Sequence, residues 1–395
     1  MRRNDTLVVL SDMPARRVNA GRVRITRKFL DGVESYSALW PGSVHVLLDE
    51  TIESTENLDE IDVNPDDLNW RLTVEPYDSA SALTVLQGAS VILGGPHYRL
   101  MRLTEYCREW RVPCVHMTEN TLRNRLEIAR IDESDPLKLV KRSVWEVRHE
   151  YRIRRSIGRA AGVQCNGVPT YKAYRGISRD PLLFFDNRTS DSLFANRDEI
   201  AARERRLREG RPLTIAFSGR LAKIKGVEDL IDVCRHLKRQ RFPFKLLIAG
   251  DGPLRIPIAD CVMREQLDEV VMLGALDFHT ELMPLMRQEV DIFVACHKQG
   301  DPSCTYLETL AAGVPIVGYS NEAFAGLLEV ADVGWGAPLN EPEQIARTIL
   351  SIGREQIIAK GNAALRFAKE NSFNRTFARR IEHVLRIAKA GPRLP

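Results

Sequence analysis

Leu213-Thr214-Ile215-Ala216-Phe217-Ser218-Gly219-Arg220-Leu221-Ala222-Lys223-Ile224-Lys225-Gly226 decides how this chain is read. Leu213 to Phe217 is a strand-length apolar run, and Gly219 lets the backbone turn sharply after it. Arg220 and Lys225 then set two positive charges just past the strand end. A guanidinium can fork two oxygens of a diphosphate, and an ammonium on a flexible stem adds a point charge. Ligands of open parallel sheets sit beyond the carboxyl ends of the strands, where these charges fall. An Arg and a Lys near a strand end are also ordinary surface residues, so the rest of the chain has to decide.

Downstream signals agree. A second strand, Phe244 to Ala249, ends in Gly250-Asp251-Gly252-Pro253. Asp301-Pro302-Ser303 supplies turn and capping chemistry for a short helix, Tyr306 to Ala312, which Gly313-Val314-Pro315 closes. A helix start aimed into a cleft favours anions through its unpaired N–H groups. Glu308, in that first turn, can accept two hydrogen bonds from a ribose diol, although acids suit first turns for dipole reasons alone. Together these residues point to a pocket for a nucleoside diphosphate joined to a sugar.

Five segments come in an order and spacing that resembles the retaining glycosyltransferases of the GT-B fold, the glycosyl transferases group 1 type. They are Gly219-Arg220-Leu221 with Lys225-Gly226, Leu247 to Leu254, Leu273-Gly274, Leu307-Glu308, and Ala312 to Val317. The match is good over Leu213 to Ile349 and holds only in outline before that. The resemblance implies that Arg220 and Lys225 hold the donor diphosphate and act in catalysis, that Glu308 holds the ribose, and that backbone near Leu273-Gly274 receives the base. It extends the donor side to Gly219, Asp301, Thr305, Tyr306 and Leu307. One departure stands out. The family carries a second Glu eight positions before the ribose Glu, and here that place is Gly300, with Asp301 next to it.

The first half also alternates strands and helices. Strands are expected at Thr6 to Leu10, Ser43 to Leu48, Val91 to Leu93, Cys114 to Met117, Gly162 to Cys165 and Leu182 to Phe185. Helical periodicity covers Val23 to Gly32, Leu100 to Arg111 and Pro136 to Ala160, while Glu50 to Leu72 reads as a polar surface excursion. By the resemblance, the loop Asp12 to Gly21 passes near the donor phosphates and acceptor, with Arg17, Asn19, Gly21 and Arg22 as contacts and Gly21 opening a basic helix. His97 ends another strand facing the cleft. Glu119 takes the place where many relatives carry a His against the transferred sugar, and its carboxylate could accept the acceptor's proton or stabilise oxocarbenium-like charge. His97 and His116 lack a third ligand at metal spacing, and Cys296-His297 with Cys304 is a poor zinc set. No metal or other cofactor is expected.

At 395 residues, two domains are the default. Residues 1–190 form an acceptor-side Rossmann-like domain, 191–212 a linker, 213–354 the donor domain and 355–395 C-terminal helices returning to the first domain. Asp198 to Glu209 lacks core residues and reads as an exposed helix. Hydrophobic content of 44% and charged content of 28% suit a soluble globular protein. No apolar run approaches the roughly 20 residues of a membrane span. With no secretion signal and seven scattered cysteines, a cytoplasmic setting with reduced thiols is expected. A net charge of +4 is too small to argue for nucleic acid. Two basic concentrations, Arg16 to Lys28 and Arg142 to Arg159, suit either solvated faces or an anionic partner such as a membrane surface. The reading is a glycosyltransferase with a nucleotide-sugar donor and a hydroxyl acceptor. The alternatives are a non-catalytic nucleotide-sugar binder and an epimerase or phosphorylase of the same architecture.

Overall fold

The computed structural model describes residues 5–18, 21–50, 60–97, 100 and 102–391. The N-terminal half is a nine-stranded sheet of β1 (Thr6–Arg17), β2 (Val23–Thr26), β3 (Ser43–Glu50), β4 (Glu60–Val63), β5 (Arg71–Val74), β6 (Val91–Gly94), β7 (Cys114–Thr118), β8 (Gly162–Asn166) and β9 (Pro181–Phe184). The order β5-β3-β1-β6-β7-β8-β9 is parallel throughout. Helices cover both faces, so Leu7 to Leu10 and Val91 to Leu93 are buried on every side. The second sheet holds β10 (Leu213–Ser218), β11 (Phe244–Ala249), β12 (Val270–Gly274), β13 (Ile292–Ala295), β14 (Ile316–Tyr319) and β15 (Gly334–Ala337). Its order, β12-β11-β10-β13-β14-β15, is again parallel. Each sheet reverses its winding beside its first strand, which opens a crevice there.

Several elements differ from the sequence reading. Val23 to Gly32 is not one helix. Val23, Ile25 and their neighbours alternate inward and outward as β2, and the helix starts at Arg27, where the Thr26 hydroxyl accepts from the Phe29 N–H. The expected loop from Asp12 to Gly21 is strand as far as Arg17, because β1 turns back on β2 through Arg16 opposite Arg24 and Arg17 opposite Val23. Asn19 lies outside the described residues. The expected excursion carries β4 and β5, whose Val63 and Val74 are buried. β15 escaped notice because Gly334-Trp335-Gly336 lacks a β-branched signature. Its glycine is required by proximity, since a Cβ at Gly334 would sit 2.1 Å from the Ile316 carbonyl oxygen.

Helix 197–208 is not the exposed spacer its charge suggests. Leu207 is buried in the second-domain core, and Arg203 is 4% exposed. The Arg203 guanidinium donates to the carbonyls of Gly313 (2.8 Å), Met286 (3.0 Å) and Arg287 (2.8 Å), which satisfies two helix C-termini at once. Burial pulls its pKa down to about 10. Helix 373–390 crosses back to the first domain, where Phe377, Ile381, Val384 and Ile387 join Leu7, Val9 and Tyr36 in one core. Each such side chain contributes about 1.5–3 kcal/mol when fully buried. The two chain crossings between domains are tied together. Asn187 Nδ2 donates to the Asn371 carbonyl (2.9 Å) and the Phe373 N–H to the Thr189 carbonyl (3.0 Å).

Candidate active site

Three strand ends of the second domain lie side by side at the crevice. The Gly219 N–H donates to the Ala249 carbonyl (3.0 Å), the Leu221 N–H to that of Asp251 (2.8 Å) and the Gly250 N–H to that of Gly274 (2.6 Å). The turn bearing Lys225 is pressed onto the end of β13. Gly226 sits at φ 65°, and a Cβ there would lie 2.0 Å from the Cys296 carbonyl oxygen. Only glycine meets both conditions.

A cavity of about 870 Å³ opens between the domains. Gly219, Arg220, Gly250, Thr305 and Glu308 line it from the second domain, and Arg27, Lys28, Asp31 and Glu60 from the first. Arg220 therefore faces the interdomain gap. Thr305 and Glu308 place the start of helix 304–311 on the same wall. Gly274 leads into Ala275 to His279, which form the adjoining edge. Tyr306 and Leu307 turn into the core instead, and the Tyr306 hydroxyl accepts from Asn321 Nδ2 (3.1 Å).

Lys225 Nζ stands 3.8 Å from Asp301 Oδ2. The other oxygen, Asp301 Oδ1, is buried without a hydrogen-bond partner. Gly300 has no room for the family's Glu. A Cβ there would meet Glu322 Cβ at 2.8 Å and the Glu322 nitrogen at 3.2 Å. Its N–H is held by Asn124 Oδ1 of the first domain (2.7 Å), and the Thr121 hydroxyl bonds the Glu322 carboxylate across the same gap. His297, 1% exposed, has neither ring nitrogen bonded, and burial together with the Lys225 charge holds it neutral.

Two site residues were invisible in the motifs. Arg188 Nε donates to Glu308 Oε1 (2.8 Å), and its guanidinium lies 4.0 Å over the Phe278 ring. It comes from the domain crossing, a stretch without any motif. Lys28 is ion-paired with Asp186 and lies 3.0 Å from Cys304 Sγ, so a first-domain side chain reaches the start of helix 304–311. The Asp186 charge raises the Lys28 pKa well above its usual value against the opposing effect of burial, and burial pushes the Cys304 thiol up to about 12.

Lys28 also lines a second cavity, of about 480 Å³, with His97, Glu119, Asn120, Arg125, His149 and Asp186. Glu119 and His97 thus share the first-domain wall of the cleft. Arg125 is held by Glu146 and Glu150 (2.8 Å each), and burial with the Arg125 charge draws the His149 pKa down to about 4. His116 belongs to the fold. Its Nδ1 faces the Gly94 carbonyl (3.2 Å), which can only accept, so Nε2 takes the Thr104 or Ser156 hydroxyl proton.

Arg17, Gly21 and Arg22 line neither cavity. Arg17 donates to the Val74 carbonyl (2.8 Å) and lies 3.7 Å from Glu50, so the hairpin carries this segment away from the cleft. Two members of the first basic concentration are answered within the fold, Arg24 by Asp62 (2.5 and 2.8 Å) and Lys28 by Asp186. Among the described residues no three His, Cys, Asp or Glu side chains cluster as metal ligands, and no helix is long and apolar enough to cross a membrane. None of the seven cysteines is in a disulfide.

Two doubly wound domains facing each other across a cleft, with a helical tail returning to the first, define the GT-B architecture. Residues 198–371 match the family model for Glycosyl transferases group 1. AmsK of Erwinia amylovora, an amylovoran biosynthesis glycosyltransferase, is 28% identical over 176 residues, 43% of each chain. WcaL of Escherichia coli (strain K12), named for colanic acid biosynthesis, is 26% identical over 149 residues, 36% of each chain. The chain thus matches less than half the length of these curated relatives. Among solved structures, HepE of Anabaena in complex with UDP superposes over 96% of this chain and 99% of its own, with a TM-score of 0.64 at 15% identity. WaaG, involved in lipopolysaccharide biosynthesis, covers 95% of this chain and 99% of its own at 0.58 and 13%.

Proposed function

We propose that the chain transfers a glycosyl unit from a nucleoside-diphosphate sugar to a hydroxyl acceptor, with retention at the anomeric carbon. One observation carries this reading. Arg220, Thr305 and Glu308 share a single interdomain cavity whose opposite wall carries first-domain side chains. In this scheme the diphosphate lies against Arg220, Lys225 and the start of helix 304–311, and the ribose takes the Glu308 oxygen left by Arg188. The bond from the anomeric carbon to the diphosphate breaks, and the leaving phosphate keeps the electron pair. Cationic side chains and backbone N–H groups neutralise that charge, which is electrostatic catalysis. The acceptor oxygen bonds to the anomeric carbon, and its proton passes to Glu119 or to the departing phosphate. Asp301 takes the place of the missing Glu against the sugar, since position 300 is filled by Glu322. No metal ion is needed in the scheme.

HepE was solved with UDP, so uridine diphosphate sugars are the first donors to try. A polysaccharide, glycoconjugate or lipid-linked acceptor fits the names of the relatives, and peripheral contact with an anionic membrane is part of the reading. A donor panel read by thermal shift, followed by acceptor-dependent release of the nucleoside diphosphate, tests the proposal. Arg220→Ala should lower turnover by roughly 10²- to 10³-fold in a folded protein. Turnover of this variant at the wild-type rate would refute the assignment, and ligand binding without release would favour a non-catalytic binder.

A further inference from the structure

The solvent face of helix 136–159 is apolar where the outward face of a surface helix is ordinarily polar. Leu137 is 81% exposed, Val140 62%, Val144 46%, Val147 53% and Tyr151 68%. Steps of three and four residues put these five within an arc of about 80° at 100° per residue, and along a line of about 21 Å. Lys141, Arg148, Arg152 and Arg155 flank one side of the stripe and Arg154 the other, all exposed. The two acids of the helix, Glu146 and Glu150, turn inward onto Arg125 (2.8 Å each). Every exposed charged side chain on the helix is therefore a Lys or Arg.

We infer that this helix docks the protein on an anionic lipid bilayer. The stripe enters the boundary between headgroups and acyl chains, and the flanking cations meet the anionic headgroups. Charge rules out a second copy as the occupant. Two such stripes packed together would set Lys and Arg flanks against each other, and about two heptads of seam are short for a coiled coil. The inner face of the same helix supplies His149 and Ile153 to the first-domain cavity. Docking therefore seats that cavity directly over the membrane surface. The inference gives the membrane part of the proposed function its surface. Its test reads lipid binding alone, so it stands or falls apart from sugar transfer.

The test is flotation of the full chain with phosphatidylcholine vesicles, with and without added phosphatidylglycerol. The wild type should float with the anionic vesicles only and be released by high salt. Arg148→Gln with Arg152→Gln and Arg155→Gln should weaken partition about 100-fold, at about fivefold per cation near an anionic surface. Val144→Ser with Val147→Ser and Tyr151→Ser should abolish it at unchanged circular dichroism. Arg24→Gln, whose side chain is already committed to Asp62, should leave partition unchanged. Wild type that does not float, helix 136–159 variants that float like it, or stripe variants that instead split a solution dimer would each overturn the inference.

Discussion

Replacing Lys225 by Met removes one cation from the proposed diphosphate site and leaves Asp301 behind. The contact itself is a charge-assisted hydrogen bond, about 1.5–3 kcal/mol. The second cost comes from the carboxylate 3.8 Å from the lost ammonium. Opposite an anionic diphosphate at about 6 Å, with an effective dielectric near 20, one charge is worth about 3 kcal/mol before screening. The Asp301 side chain is 31% exposed, so about half of that is retained, on the order of 1–2 kcal/mol. Lys225→Met should therefore lower kcat/KM by roughly 10²- to 10³-fold. Adding Asp301→Asn in the same chain removes the repulsion and should restore about 5- to 30-fold of it. Steady-state kinetics with the donor found in the panel measures both steps. A Lys225→Met enzyme within twofold of wild type would refute the reasoning, as would a second substitution that deepens the loss.

Other outcomes follow from the geometry. Arg188→Ala leaves Glu308 buried without its cation and should raise the donor KM about tenfold while kcat changes little. Arg203→Met strands the carbonyls of Gly313, Met286 and Arg287 and should cost about 3 kcal/mol in urea unfolding, with no direct effect on donor affinity in the folded fraction. His116 supplies a pH dependence. Burial takes its pKa to about 4, below the unfolded value near 6.5. The stability it contributes is therefore complete above pH 6.5 and is lost as pH falls toward 4, on the order of 3 kcal/mol. Urea midpoints across that window should show the loss, and His116→Gln should remove this share of it, leaving what His149 and His297 contribute.

Parallel strands in both halves were legible because each is a short apolar run bounded by turn chemistry, as at Leu7 to Leu10 and Leu246 to Ala249. The strand ends at Gly219, Gly250 and Gly274 were legible for a related reason, since glycine marks places where backbones nearly touch. β2 and β4 were not, because their basic and acidic residues look like surface. Only the pairing of Arg24 with Asp62 across two strands explains their charges. Leu207 was hidden inside a charged helix for the same reason. Glu308 could be found from its helix start, but Arg188, from 120 positions away, could not. Lys28 was read only as part of a basic concentration, because nothing local announces its partner Asp186. The exposed stripe on helix 136–159 shows the converse. Its periodicity announced a helix but not which apolar residues pack, and the structure buries Ile153 and Ile157 while leaving Val140, Val144, Val147 and Tyr151 exposed.

Titration of the wild-type chain and Arg220→Ala with nucleoside diphosphates, by calorimetry, tests the central claim most directly. The account predicts that one diphosphate binds the wild type at a single site, and that Arg220→Ala weakens it by at least about tenfold, the loss of one charge-assisted contact. Equal affinity in both proteins, or no diphosphate bound by either, would contradict it.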